Sequence, residues 1–136
     1  MQGTRDPAAW LAVPAALAFR TEHGWSGVAA HCQMLAQETA LRLADRTRLA
    51  PLSTPEFCAP QMVAMPIPDV GEPVEFQRQL MDRYRIEIPV FKWQELSIVR
   101  LSVQGYNSKA QMDLLVDALT DMLQLEARPE LVLQRG

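Results

Sequence analysis

Cysteine is scarce in this sequence: Cys32 and Cys58 are the two in 136 residues, and neither sits in a CxxC or Cys/His ligand spacing. That pattern points away from a disulfide framework or a zinc site and toward a reduced, cytoplasmic setting. His23 and His31 are the two histidines and have no second ligand at i+4, so no metal is expected. Positive charge is also short. Thirteen Lys and Arg against sixteen Asp and Glu give a net charge of -3, without the basic stripe that phosphate-backbone binding needs, which argues against nucleic acid. Long hydrophobic runs are missing as well. The stretch from Ala8 to Phe19 is interrupted by Pro14, bounded by Asp6 and Arg20 and too short for a bilayer span, and no basic leader of the signal-peptide kind is expected ahead of it. The three tryptophans, Trp10, Trp25 and Trp93, read as packing or interface residues in so acidic a chain.

What is present is the composition of an ordinary globule, 49% apolar and 21% charged, at a length that suits one domain over residues 1–136. Asp6 before Pro7 predicts a helix start, with Gly24 as its end near His23 and a bend at Pro14. Ser26 is the expected cap of a second long helix running to about Leu49, with Val28, Cys32, Leu35, Ala36, Thr39 and Leu43 on one face. A short strand is expected from Gln61 to Pro66 at a sheet edge. Gly71-Glu72-Pro73 opens a third helix, in which Phe76, Leu80 and Tyr84 recur every four residues. Two strands, Ile86 to Phe91 and Leu96 to Val103, read as a hairpin turning between Trp93 and Glu95. Met112, Leu115, Val116, Leu119, Met122 and Leu123 mark a last helix ending before Pro129. The order predicts an α+β fold: a small antiparallel sheet of about three strands covered by helices, two of them long and N-terminal and one C-terminal.

The most informative stretch is Val99 to Asp113, VRLSVQGYNSKAQMD. Strand alternation puts Ser97, Val99, Leu101 and Val103 on one face and Ile98, Arg100 and Ser102 on the other. Arg100 thus falls mid-strand among apolar neighbours, and a guanidinium buried there would require a carboxylate or phosphate partner. Gly105 breaks the strand, Asn107 suits a turn, and Ser108 with Gln111 forms a capping box for the final helix. One reading of Arg100 is a structural ion pair with Glu87, which would face Ser102 diagonally across the hairpin.

The run V-R-L-S-V-Q-G-Y-N-S followed by an amphipathic helix also resembles the C-terminal signature of class V aminotransferases, which depend on pyridoxal phosphate (PLP). The opening Gly3-Thr4-Arg5-Asp6-Pro7 with Trp10 to Ala16 is similar to the isopenicillin N epimerase-like branch of that group. The resemblance implies that Arg100 binds the α-carboxylate of an amino-acid substrate, with Tyr106 and Asn107 in the adjoining turn. Ser108 stands where the family usually has threonine, which keeps the capping hydroxyl. It implies that Thr4, with Gly3, reaches across a dimer interface to the phosphate of a neighbour's PLP. It implies too that this chain corresponds to a C-terminal small domain, the Schiff-base lysine belonging to a large N-terminal domain.

The two lysines present, Lys92 and Lys109, fall at a hairpin end and a helix start, where nothing would depress an amine pKa for Schiff-base chemistry. The expectation is a fragment without catalysis of its own. Desulfurases of the family carry a nucleophilic cysteine shortly before the arginine strand, whereas Tyr84 to Glu95 contains none. The competing view is a stand-alone module that binds a small carboxylate or a protein partner.

Overall fold

The computed structural model describes residues 7–125. Helices α1 (Ala8–Glu22) and α2 (Trp25–Thr47) are followed by strand β1 (Met62–Ile67), helix α3 (Pro73–Tyr84), strands β2 (Val90–Trp93) and β3 (Leu96–Ser102), and helix α4 (Lys109–Met122). The strands form one antiparallel sheet in the order β1-β3-β2. This is the expected α+β arrangement, with the edge position of β1 accommodating Pro66.

Alternation along β3 decides where the core lies. Ser97, Val99, Leu101 and Val103 are all buried, and so are their same-face neighbours Met65 and Ile67 on β1 and Val90 on β2. Over this face α2 lays Cys32, Leu35, Ala36 and Leu43, α4 lays Met112, Leu115 and Leu119, and α3 adds Phe76 and Leu80. Leu80 and Leu119 have no exposed surface, and enclosing a leucine side chain contributes roughly 1.5–3 kcal/mol. On the opposite face Arg100 and Ser102 are exposed, along with Met62, Phe91 and Trp93. Ile98 and its register partner Pro66 are buried on that face, but Arg100 two residues on is exposed, so it is not buried among apolar neighbours.

Several boundaries differ from the sequence expectation for local reasons. Strand β2 begins at Val90 rather than Ile86. The N–H of Arg100 donates to the carbonyl of Pro89 at 3.0 Å, but proline has no N–H to return the bond, and the paired strand stops there. The Val90 N–H turns instead to Oε1 of Gln77 on α3, 2.8 Å away. Helix α2 starts at Trp25 behind Gly24, whose φ of 57° is left-handed, so the reversal between the helices rests on a glycine and not on a Ser26 cap. Pro7 occupies the N-cap position of α1; the expected cap Asp6 and the expected stop Pro129 lie outside the described residues. Pro14 sits inside a helix that continues on both sides of it. The capping box forms as expected: Gln111 N–H donates to Ser108 Oγ, and Gln111 Oε1 accepts from Ser108 N–H at 3.0 Å.

Helix α1 stands apart, since none of its residues is buried. Trp10 and Leu11 are each 74% exposed and Leu17 59%. Its contact with the remainder is through the start of α2, where Phe19 stacks on His23 with ring centroids 3.9 Å apart and lies 6.0 Å from Trp25.

Ion pairs tie the elements at their rims. Asp113 of α4 meets Arg42 Nη1 of α2 at 2.5 Å and Lys109 Nζ at 2.9 Å. Asp121 accepts from Arg83 Nη2 at 2.8 Å and from the Tyr84 hydroxyl, joining α3 to α4. Asp69, ahead of α3, accepts from Lys92 Nζ, the Gly71 N–H and Ser97 Oγ. Each carboxyl is held below its usual range: Asp113 by Lys109 and then Arg42, Asp121 chiefly by Tyr84, and Asp69 chiefly by Lys92. Arg78 and then Gln79 lower Glu75 to about 2.

A carboxyl with a lowered folded-state pKa stabilises the fold above its unfolded value, near 4, and loses that contribution as pH falls through the folded value. The Tyr84 hydroxyl has the opposite sense. Its donation to Asp121 raises its pKa, so that contribution is present below the unfolded value, near 10, and is lost as pH rises through the folded one. Denaturation midpoints measured against pH are expected to drop between about pH 4 and 2 and again above about pH 10. Asp121→Asn should flatten both limbs, and a midpoint indifferent to acid would contradict these pairings.

Candidate functional site

A cleft of about 290 Å³ opens where β3 runs past the start of β2. One wall is the segment 85–89, which leaves the end of α3, and the other is the first two turns of α4. Its polar lining is Arg85, Glu87, Arg100, Ser102, Asn107 and Gln111, over an apolar floor that includes Ile88, Leu101, Met112 and Leu115. The cleft exists because the ladder fails at Pro89. From there the segment no longer runs as a paired strand, and the space between it and α4 stays open.

Arg100 extends from the central strand, so its backbone is fixed from both sides: Ala64 of β1 is its register partner and Pro89 accepts its N–H. Among the described residues no carboxylate pairs with its guanidinium. Glu87 lines the same cleft, yet the two form no ion pair, so the structural pairing open from the sequence is not made here.

The turn after β3 is built from 104–107. Asn107 N–H donates to the Gln104 carbonyl at 2.8 Å, Asn107 Oδ1 accepts the Gln104 N–H at 2.8 Å, and Asn107 Nδ2 reaches Gln111 Oε1 at 3.2 Å. Asn107 thus lines the cleft while bracing the turn that joins β3 to α4. Because Ser108 and Gln111 use each other's N–H groups in the capping box, those two amides are not open to a ligand.

Of the residues singled out from the sequence, Arg100 and Asn107 come together in this cleft. Tyr106 does not join them; it is 83% exposed at the tip of the turn. Gly3 and Thr4 lie outside the described residues. Sequence reasoning passed over Arg85, Ser102 and Gln111 as cleft residues. Extending the hairpin register beyond Val90 would bring Glu87 alongside Ser102 but Arg85 only alongside Gln104, so the register gave no signal for Arg85.

Neither lysine lines the cleft, and each is engaged elsewhere, Lys92 with Asp69 and Lys109 with Asp113. Neither thiol reaches it: Cys32 is buried within the core and Cys58 lies beside Ser53 and Thr54 in the loop after α2. No group of metal-ligating side chains occurs among the described residues, and no helix there is long and apolar enough to cross a membrane.

No family model matches the chain. Two curated proteins do. One, an isopenicillin N epimerase from Streptomyces clavuligerus, is 35% identical over 121 residues, which is 87% of this chain and 30% of that protein. Another, an isopenicillin N epimerase from Amycolatopsis lactamdurans, is 32% identical over 123 residues, 89% of this chain and 31% of the relative. Over most of its length the chain is similar to these two isopenicillin N epimerases. It spans about a third of the length of these relatives, and the aligned part takes in nearly all of the fold described above. The cleft and its arginines lie within one small sheet and its helices.

Gly105 connects the site to the rest of the fold. A Cβ added there would lie 2.9 Å from Val28 Cγ1 at the start of α2, and the stiff valine side chain has little freedom to give way. Gly105→Ala is expected to cost about 1–3 kcal/mol by overpacking. Gly27→Ala, with nothing within 4 Å of the new methyl and a helical setting, should instead stabilise by roughly 0.5–1 kcal/mol. Urea denaturation of the two variants checks both signs, and a neutral Gly105→Ala would mean that the turn does not press on α2.

Proposed function

We propose that this chain is the C-terminal small domain of a PLP-dependent, isopenicillin N epimerase-like enzyme, and that Arg100 receives the α-carboxylate of its amino-acid substrate. The observation carrying this reading is that Arg100, on the central strand, lines an open cleft and has no carboxylate partner among the described residues. A planar guanidinium binds a carboxylate through two parallel hydrogen bonds, which fixes the orientation of the adjoining α-carbon as well as its position. Similarity to two epimerases over most of the chain supports the same assignment.

The described residues do not themselves fit PLP. Covalent attachment needs an available amine, and both Lys92 and Lys109 are engaged in ion pairs with aspartates. The Schiff-base lysine is assigned to a large domain beyond this chain, and the isolated chain to an inactive state. Thr4 and Gly3 are retained from the family resemblance as the contact to a dimer mate's cofactor phosphate. The remainder of the enzyme and the dimer mate would also cover α1, whose apolar residues are not buried by the described residues.

Arg100→Lys tests the site. Being exposed and unpaired, the residue should be replaceable within about 0.5 kcal/mol of stability, while loss of the bidentate geometry weakens amino-acid binding about tenfold or more in the complete enzyme. Thermal melts and substrate titrations together decide it, since a large stability loss with unchanged affinity would make the arginine a structural brace. The uncovered helix is tested by sedimentation. The isolated chain is expected to self-associate as concentration rises, and Trp10→Glu with Leu17→Glu should return it to monomer; a wild-type chain that stays monomeric throughout would remove α1 as an interface.

A further inference from the structure

We infer that the cleft takes a ligand with two carboxylates, Arg100 holding one and Arg85 the other, a step that rests on the reading of Arg100 given above. Both arginines line the same space of about 290 Å³, near the lower end of the roughly 300–1,000 Å³ of small-molecule pockets. Among the described residues neither guanidinium has a carboxylate partner. Two arginines against the single carboxylate of Glu87 leave the lining with a charge of +1 in a chain whose net charge is -3.

Unpaired cations that line one cleft repel each other and are relieved by anions, and one carboxylate satisfies one guanidinium fork. Arg100 stands on the strand and Arg85 on the opposing wall, where the end of α3 anchors it through the bond from Arg85 N–H to the Met81 carbonyl, 3.0 Å long. The same cleft is lined by Ile88, Leu101, Met112 and Leu115, apolar surface suited to a methylene spacer. Arg85 is thus a specificity residue, selecting a second acid group at the far end of a ligand that Arg100 orients.

The test uses the 136-residue chain and a matched pair of five-carbon acids, glutarate with two carboxylates and valerate with one. Arginine side-chain Nε–H resonances are followed by NMR during each titration. Valerate should shift the Arg100 signal alone. Glutarate should shift Arg85 and Arg100 together and bind about tenfold more tightly. Arg85→Gln should bring glutarate down to the affinity of valerate and leave valerate unchanged, with Arg85→Lys recovering part of the difference; melting curves confirm that both variants are folded. An unchanged glutarate-to-valerate ratio in Arg85→Gln overturns the inference while leaving the Arg100 reading intact, provided Arg100→Lys weakens both acids. If neither acid perturbs either arginine, the Arg100 reading fails and this inference falls with it.

Discussion

The structure depends on a single strand whose two faces meet different surroundings. Strand β3 is the middle of the sheet, and the burial of Ser97, Val99, Leu101 and Val103 against α2 and α4 sets both the position of the helices and the side on which Arg100 emerges. Because side chains alternate with period two, a register slip of one residue would carry Arg100 into the core and Val99 into water. The buried face and the cleft arginine are therefore one constraint expressed on two sides of the same backbone.

Polar interactions refine this arrangement at its edges. Asp113 spans α2 and α4, Asp121 spans α3 and α4, and Asp69 gathers Lys92, Ser97 and the start of α3. These pairs are largely exposed, so their Coulomb attraction is screened and each weighs little beside the enclosed leucines and valines. Their value is directional. They occupy Asp69, Asp113, Asp121 and both lysines, while the two cleft arginines keep no acidic partner among the described residues.

Where the chain is poorly satisfied is as informative as where it is well packed. Helix α1 carries Trp10, Leu11, Val13, Leu17 and Phe19 in exposed positions, on a helix of 15 residues that a globule of this size leaves uncovered. An exposed apolar helix of that kind is costly unless another surface meets it.

The sequence by itself determined the element order, the central strand and the capped turn into α4, because those follow from short-range rules: alternation in Leu96 to Val103, the S-x-x-Q box at Ser108, proline at the first position of α3 and the helical stripe from Met112 to Leu119. It also marked Arg100 and Asn107 as members of one neighbourhood, since only residues 103–108 separate the strand from the helix. The exposure of Arg100, its lack of a bond to Glu87, the outward position of Tyr106 and the arrival of Arg85 were decided only by tertiary structure. Each of these depends on how a non-local segment closes beside β3. Pro89 stops the pairing there through an N–H that proline does not have, and the consequence, a cleft between 85–89 and α4, arises only once helices from distant parts of the chain have packed on the same sheet.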